Sequence, residues 1–304
     1  MELNWLEDFL ALAEHRNFSR AAELRHVTQP AFSRRIRSLE NWIGAPLFVR
    51  SPQGVSLNAA GEFLLSHAED MTRNLHQLRR EIREIAGREV ATLSFVATHA
   101  LSFTFFPSFI RRQASLETLG TLNLISDSME ACEHMMLRGE AHFLLCHHYR
   151  DVVTRFEPGQ FNNLVIGEDV LIPLCSPDSN GAPQWTLPGL SEAPVRYLSY
   201  SPQSGLGRIL TTNWGAKQLS LCLDKVFTSH LAATLLTMAR EGHGIAWLPR
   251  TLAEDDIAAG RLVHAGDESF SVPVEIRLFR PARRQTRVVE SFWQALVKAY
   301  PCGD

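Results

Sequence analysis

The sequence predicts a chain of two characters, an α-helical N-terminal module with a short hairpin and a long linker helix, joined to an α/β C-terminal domain. Three observations predict it. Apolar residues recur at helical spacing as far as residue 43, an apolar seam steps by 4, 3, 4, 3, 4 and 3 from Leu64 to Ile85, and strand-like and helix-like segments alternate after Gly87. The 304 residues leave room for two or three domains at roughly 100–200 residues each. A hydrophobic content of 45%, with 30 Lys+Arg against 33 Asp+Glu, excludes collagen-like and charge-swollen disordered chains.

The first helix is marked by Trp5, Leu6, Phe9, Leu10 and Leu12-Ala13 and runs to about His15. Asn17 or Ser19 suits the cap of a second, short helix holding Ala21, Ala22 and Leu24. After a break at Arg25-His26-Val27, Thr28 is a good N-cap and Pro30 falls in the first turn, where its missing N–H costs nothing. The third helix reaches about Ile43. It is expected to bury Phe32, Ile36, Leu39 and Trp42 or Ile43, leaving Gln29, Ser33, Arg34 and Arg37 on another face, and Gly44 stops it. Residues 47–50 and 54–57 then read as two short strands around Ser51-Pro52-Gln53.

Charge is concentrated in this module. Between Arg16 and Arg50 stand seven arginines, Arg16, Arg20, Arg25, Arg34, Arg35, Arg37 and Arg50, against only Glu23 and Glu40, while lysine occurs only at 217, 225 and 298. Arginine's planar donor fork suits phosphate and the major-groove edge of guanine, although a solvated helix face accounts for such a cluster equally well. Two short helices joined by a tight turn, the second opening with Gln, Ser and Arg, form a helix-turn-helix whose second helix enters the DNA major groove. The hairpin is then a wing, with Arg50 at the backbone or minor groove.

The linker seam is Leu64, Ala68, Met71, Leu75, Leu78, Ile82 and Ile85, about three heptads. Such a seam needs a partner helix, either from a second chain or from within this one. Beyond it, Leu93–Ala97, Leu122–Ile125, His142–Cys146, Val165–Leu174, Val195–Tyr200, Leu221–Phe227, Ile245–Leu248 and Val274–Phe279 have strand character. Helical stretches fall at Phe105–Gln113, Met129–Arg138, His230–Glu241 and near Gln285–Ala299. This alternation implies a sheet with parallel strands, whose ligands bind beyond the C-terminal strand ends.

The ordered segments Asn17–Ala22, Thr28–Glu40, Ile43–Arg50 and Asn58–Gly61 together resemble the LysR-type transcriptional regulators. The resemblance runs the length of the chain and weakens after residue 90. It implies a winged helix-turn-helix at 1–58, a dimerising linker helix at 59–87 and, at 88–304, an effector domain like periplasmic binding proteins. That domain would hold subdomain I at about 91–166 plus 272–304 and subdomain II at about 167–271. The residues matching DNA-contacting positions are Gln29, Pro30, Ser33, Arg34 and the wing's Arg50, and the candidate set is completed by Ser19, Arg20, Thr28 and Arg37. Where the family's wing usually carries a second basic residue, Ser51-Pro52-Gln53 stands, which implies weaker minor-groove anchoring. Implied partners are double-stranded DNA with paired half-sites, a small-molecule effector, a second copy through the linker helix, a homotetramer and RNA polymerase.

The implied cleft between subdomains is lined by strand ends. Its candidate residues are Thr98, His99, Ala100, Ser102, Ser128, Cys146, Tyr200, Ser201, Gln203, Ser229 and Gly244. Ser102, Ser128 and Ser229 sit near helix starts, where a hydroxyl and free N–H groups suit an anion, though plain N-capping accounts for each singly. The glycines of Gly242-His243-Gly244 suggest close backbone approach.

Other chemistry is weaker. Cys132, Cys146, Cys175, Cys222 and Cys302 are odd in number, scattered and free of a C-x-x-C pair, so reduced thiols are expected rather than disulfides. Cys132, His134, His142, Cys146, His147 and His148 lie close in sequence, but His142 and Cys146 alternate against His147 and fit no compact zinc set, so no metal or cofactor is expected. Segments Gln29–Arg37, Ser204–Arg208 and Gly244–Pro249 resemble the hypochlorite-responsive branch of the family. An oxidant sensor acting through Met or Cys, including Met129, Met135, Met136 and Met238, is therefore an alternative to a small-molecule effector. There is no G-x-S-x-G, S-x-x-K, H-E-x-x-H or P-loop, and Gly205-Leu206-Gly207 lacks a third fingerprint glycine, so an enzyme is not expected. A solute-binding protein is the other rival. No basic leader region precedes an apolar run at Met1–Trp5, and the uncharged stretch 90–110 is interrupted by Thr92, Ser94, Thr98, His99, Ser102, Thr104, Pro107 and Ser108. A cytoplasmic location without a membrane partner is expected.

Overall fold

The computed structural model describes residues 2–51, 54–86, 92–113, 120–217 and 220–301. The wing tip at Pro52-Gln53, Gly87 with the expected domain boundary, and Cys302 lie outside them. The chain divides into two compact units, residues 1–88 with 137–140, and residues 89–136 with 141–304.

The first unit holds helices α1 (Leu3–His15), α2 (Phe18–Leu24) and α3 (Gln29–Ile43), the antiparallel hairpin β1 (Phe48–Ser51) and β2 (Gly54–Leu57), and the long helix α4 (Ala59–Ile85). One core joins them, built from Leu6, Phe9, Leu12, Ala21, Ala22, Phe32, Ile36, Leu39, Leu47 and Ala68. Each large side chain buried there stabilises the unit by about 1.5–3 kcal/mol. The periodicity holds except at the ends. Trp42 and Ile43 are exposed, contrary to the expectation that one of them joins the core, because Leu39 is the last position of α3 that the core covers. Gly44 ends α3 at φ +83°, and its N–H bonds the Glu40 carbonyl at 2.8 Å. Asn58 starts α4: its Oδ1 accepts from the Gly61 N–H at 2.9 Å and its Nδ2 donates to the Pro46 carbonyl at 2.8 Å. A Cβ at Gly61 would lie 2.2 Å from the Leu47 carbonyl oxygen, so only glycine lets α4 approach the hairpin here.

The second unit is built on a seven-stranded sheet. Its strands are β3 (Thr92–Thr98), β4 (Thr121–Asp127), β5 (Phe143–His148), β6 (Phe161–Cys175), β9 (Ala246–Pro249), β10 (Val263–His264) and β11 (Val272–Pro281). They run in the order β10-β6-β11-β5-β3-β4, with β9 also on β6. A second sheet pairs β7 (Val195–Tyr200) with β8 (Leu223–Ser229). The described helices of the unit are α5 (His99–Thr104), α6 (Phe106–Gln113), α7 (Met129–Leu137), α8 (Gly205–Lys217), α9 (Ala232–Arg240), α10 (Arg250–Ala258) and α11 (Arg287–Ala299), with a short 3-10 turn at Glu268–Phe270.

Among the described strands, β3 pairs parallel with β4 and with β5, and β7 with β8, and a single parallel bridge joins Tyr197 to Ile245. The expectation of a parallel sheet is corrected to a mixed one, because β11 runs antiparallel between β5 and β6, and β9 and β10 are antiparallel to β6. The long strand β6 joins two cores. Leu164 and Ile166 pack with Phe95, Phe109, Phe143 and Trp293, while Leu171, Ile172 and Leu174 pack with Leu198, Leu235 and Trp247. A register shift at Ile276/Arg277 of β11 falls opposite Ile166 of β6, within the first of these groups. Among the described residues, no helix is long and apolar enough to cross a membrane.

Candidate functional site

The exposed face of the first unit begins with two helix starts. Asn17, not Ser19, caps α2, its Oδ1 accepting from the Ser19 N–H at 2.9 Å and the Arg20 N–H at 3.1 Å. Thr28 occupies the N-cap position of α3 without a side-chain cap bond, and Pro30 lies in the first turn. Ser19, Arg20, Thr28, Gln29, Pro30, Arg34, Arg37 and Arg50 are exposed and Ser33 is half-buried. Arg34 lies back along its own helix, Nε donating to the Pro30 carbonyl at 3.4 Å. The Arg50 guanidinium lies over the Phe18 ring at 4.5 Å, which holds the wing arginine against α2.

Not all of the arginine cluster is free surface charge. Arg25 bonds Glu7 and Asp8, and Arg35 reaches Asp8 at 3.4 Å, so both tie α1 to the rest of the unit. Their acids precede the window counted in the sequence. The exposed arginines are therefore Arg16, Arg20, Arg34, Arg37 and Arg50.

The seam on α4 is divided. Ala68 is fully buried in the first unit's core and Leu64 packs against it, whereas Met71, Leu75, Leu78 and Ile82 are 40%, 43%, 52% and 56% exposed. Four apolar side chains at 4, 3 and 4 spacing on one exposed face present a hydrophobic stripe. The Ile85 side chain lies outside the described set.

In the second unit, strand and helix ends enclose a cleft of about 400 Å³, part of it open to solvent, lined by Thr98, His99, Ala100, Asp127, Ser128, Met129, His147, Ser204, Gly205, Leu206, His230 and Ala232. Thr98, His99, Ala100 and Ser128 are thus brought together. The Ser128 hydroxyl also accepts from the Ala131 N–H at 3.2 Å, so capping α7 and lining the cleft coexist. At its base His147 lies 3.2 Å from Asp169, which also accepts from the Thr251 hydroxyl at 2.6 Å and the Val170 N–H at 2.8 Å. Burial works to raise the Asp169 carboxyl, but the bond and charge of His147 and the bonds from Thr251 and Val170 more than offset it and hold it below the ordinary value.

The remaining seven candidates are not among the lining residues. Cys146 points into the core with Met129, Cys132 and Phe279, and Tyr200 is buried with its hydroxyl donating to the Trp247 carbonyl at 2.9 Å. Ser102 donates to the His99 carbonyl and Ser229 caps the turn at Leu231. The Ser201 hydroxyl oxygen is buried, and the Gln203 carbonyl accepts from the Glu130 N–H at 3.4 Å. Gly244 lets β9's approach pass close to β7, since a Cβ there would lie 2.6 Å from the Arg196 carbonyl oxygen.

The candidate set lacked Ser204, Gly205 and Leu206, which open α8. Their signal was the glycine pair at 205 and 207: a Cβ at Gly205 would meet Met129 at 3.1 Å, and one at Gly207 would meet Tyr200 at 2.9 Å. Asp127, His147 and His230 belong to the strand ends expected to line the cleft, though not to the candidate set, while Met129 follows Ser128 and Ala232 opens α9.

Burial governs the thiols. It pushes Cys132 up to about 12, with Asp127 adding to the rise, and raises Cys146 further and Cys175 in the same direction, so these sulfurs stay protonated at neutral pH. Met129, Met135 and Met136 are buried. Among the described residues, no group of three His, Cys, Asp or Glu side chains is arranged to hold a metal ion.

Residues 3–62 match the bacterial regulatory helix-turn-helix proteins of the lysR family, and residues 86–301 match the LysR substrate binding domain. The HTH-type transcriptional regulator YjiE of Escherichia coli (strain K12) is 31% identical over 296 residues, covering 97% of this chain and 94% of that protein. The full-length structure of HypT from Salmonella typhimurium, a hypochlorite-specific LysR-type transcriptional regulator, shares 30% identity at a TM-score of 0.58 and covers 98% of both chains. Vibrio fischeri DarR, solved in complex with DNA, shares 28% identity at a TM-score of 0.56, covering 97% of this chain and 98% of that one. With a DNA-binding helix-turn-helix and an effector domain both matched along its length, the chain belongs to the LysR family of bacterial transcriptional regulators.

Proposed function

We propose that this regulator is a cytoplasmic homodimer, assembling further to a homotetramer, that reads paired half-sites in double-stranded DNA and takes a small-molecule effector in the cleft of its second unit. The observation that carries the reading is α3, whose Phe32, Ile36 and Leu39 are locked into the core while Gln29, Pro30, Arg34 and Arg37 stand exposed at and beyond its N-terminal turn. A helix so anchored presents its N-terminal side chains to a major groove, with Ser19, Arg20, Thr28, Ser33 and Arg50 flanking. On this reading residues 1–58 form the DNA-binding head, 59–87 the dimerising helix and 88–304 the effector domain. Its subdomains are about 91–166 with 272–304, and about 167–271. The exposed stripe Met71, Leu75, Leu78 and Ile82 supports pairing with a second α4.

Effector binding in the cleft changes the spacing or angle of the paired heads, and RNA polymerase is the downstream partner. No catalytic step and no membrane partner enter the account. Selection from a random duplex pool tests it: enrichment of an inverted repeat with half-sites about 10 bp apart, centre to centre, is expected, and recovery of unrelated sequences contradicts it.

The likeness to the hypochlorite-specific HypT supports a second reading, in which oxidation rather than a ligand sets the state of the effector domain. The protonated, buried thiols favour methionine over cysteine as the site of attack. Repeating the selection after mild hypochlorite treatment separates the two: an altered set of sites supports the oxidant reading, and an unaltered set opposes it.

A further inference from the structure

His99, the first residue of α5, and His230, just beyond β8, face one another across the cleft with ring centroids 5.7 Å apart and planes tilted by 49°. They follow strands of different sheets, β3 and β8. Among the described lining residues there is no Lys or Arg, and Asp127 is the one acid. Asp127 is engaged at its own helix start, where its Oδ1 accepts from the Ser128 N–H at 2.6 Å. The starts of α7, α8 and α9 contribute Met129, Gly205 and Ala232 to the same walls, which places the positive ends of three helices around the space. The Thr98 hydroxyl oxygen is buried there with no hydrogen-bond partner among the described residues.

Charge on the histidines is the variable part of this site. His99 faces Asp127 from β4 and His230 from the segment after β8, and His147 of β5 lines the same cleft with Asp169 of β6 behind it. The Ser126 hydroxyl bonds His99 Nδ1 at 2.9 Å, which leaves Nε2 as the ring's other polar atom. Burial lowers the His99 imidazole below its ordinary value, Asp127 pulls it back up, and His230 lowers it again. Two imidazolium rings this close repel each other, whereas an anion shared by their edges favours both charges.

We propose that His99 and His230 form a proton-operated clamp for a small anion of the carboxylate or inorganic oxyanion class, which both rings hold by their edges as they take up protons from solvent. The proposal rests on the cleft being the effector site and adds to it both the charge of the occupant and the pH dependence of its binding. The sign follows from linkage. Anion binding that takes up protons is favoured by a higher proton activity, so affinity increases as pH falls.

The test is calorimetric titration of the full chain with sulfate and, separately, with acetate at about pH 6, 7 and 8, in two buffers of different ionisation heat. Affinity for at least one anion is expected to rise by up to about tenfold per pH unit for each proton taken up, with measurable proton uptake near pH 7 and no binding of neutral acetamide. Binding of sulfate alone identifies an oxyanion site, and binding of acetate alone a carboxylate site. His99→Gln and His230→Gln, checked for folding by circular dichroism, are each expected to lower the affinity near pH 6 at least fivefold and to remove part of the proton uptake. No binding of either anion, an affinity independent of pH, or a pH dependence unchanged in both variants overturns the clamp. DNA binding by the same unmodified protein separates this failure from the other: sequence-specific binding with pH-independent anion affinity rejects the clamp alone, and proton-linked anion binding without sequence-specific DNA binding rejects the regulator reading alone.

Discussion

Asp8, fully buried in α1, is held by two arginines from other parts of the first unit, Arg25 donating through Nε at 2.8 Å and Arg35 of α3 through Nη1 at 3.4 Å. The carboxylate turns part of a basic cluster into internal scaffolding and fixes α3, the helix that meets DNA in the proposed function, against α1. Asp8→Ala leaves both guanidiniums without this partner. Because the arginines are 27% and 35% exposed, the expected loss is about 2–3 kcal/mol, below the ~3–5 kcal/mol of a wholly buried pair. Urea unfolding measures it, and an unchanged midpoint contradicts the role.

Arg34 and Arg50 are expected to fail differently. If Arg34 forks onto a guanine edge, Arg34→Ala costs about 1–3 kcal/mol and relaxes base preference at one position. Loss of a phosphate contact in Arg50→Ala instead weakens binding to all sequences and lowers the salt slope by about one unit. Titrations at several salt concentrations distinguish them. Unchanged affinity and preference in Arg34→Ala, or an unchanged slope in Arg50→Ala, removes that residue from the interface.

The stripe on α4 leads to a test of assembly. Leu75→Asp or Leu78→Asp puts a charge into the middle of the exposed seam, and either is expected to shift the sedimenting species to monomer and to weaken binding to paired half-sites. A sedimentation profile identical to the unmodified chain contradicts pairing through this face.

Asp169 sets an acid limb to stability. Its folded-state value is depressed, so its contribution is fully present above the ordinary carboxylate value and is lost as pH falls through the lower, folded one. Relative to the unmodified chain, Asp169→Asn is expected to be less stable at neutral pH, with the difference shrinking below about pH 4. Denaturation midpoints across pH check this, and a constant difference down to pH 3 contradicts it.

Where a segment repeats one period and its caps are short polar side chains, it was legible. Asn17, Pro30 and Gly44 mark helix ends in both the sequence and the structure, and Val195–Tyr200 is the same strand in both. Helix α8 is hidden in the sequence because Gly205, Gly207, Thr211, Thr212 and Asn213 interrupt its apolar face, and α10 because Pro249, the last residue of β9, is also its N-cap. Strand direction depends on which strands become neighbours, and the insertion of β11 between β5 and β6 leaves no local mark. The internal use of Arg25 and Arg35 was hidden because their acids, Glu7 and Asp8, lie a helix away. Strand alternation sets Cys146 and His147 on opposite faces, but only the packing of the neighbouring elements decides that Cys146 faces the core and His147 lines the cleft.

The most direct measurement is footprinting of the purified full chain on sheared host DNA over a range of salt. Discrete protected sites are expected, each with two half-sites related by a two-fold axis and about one helical turn apart. Protection that is absent at every salt concentration, or spread evenly over all sequences, contradicts the account.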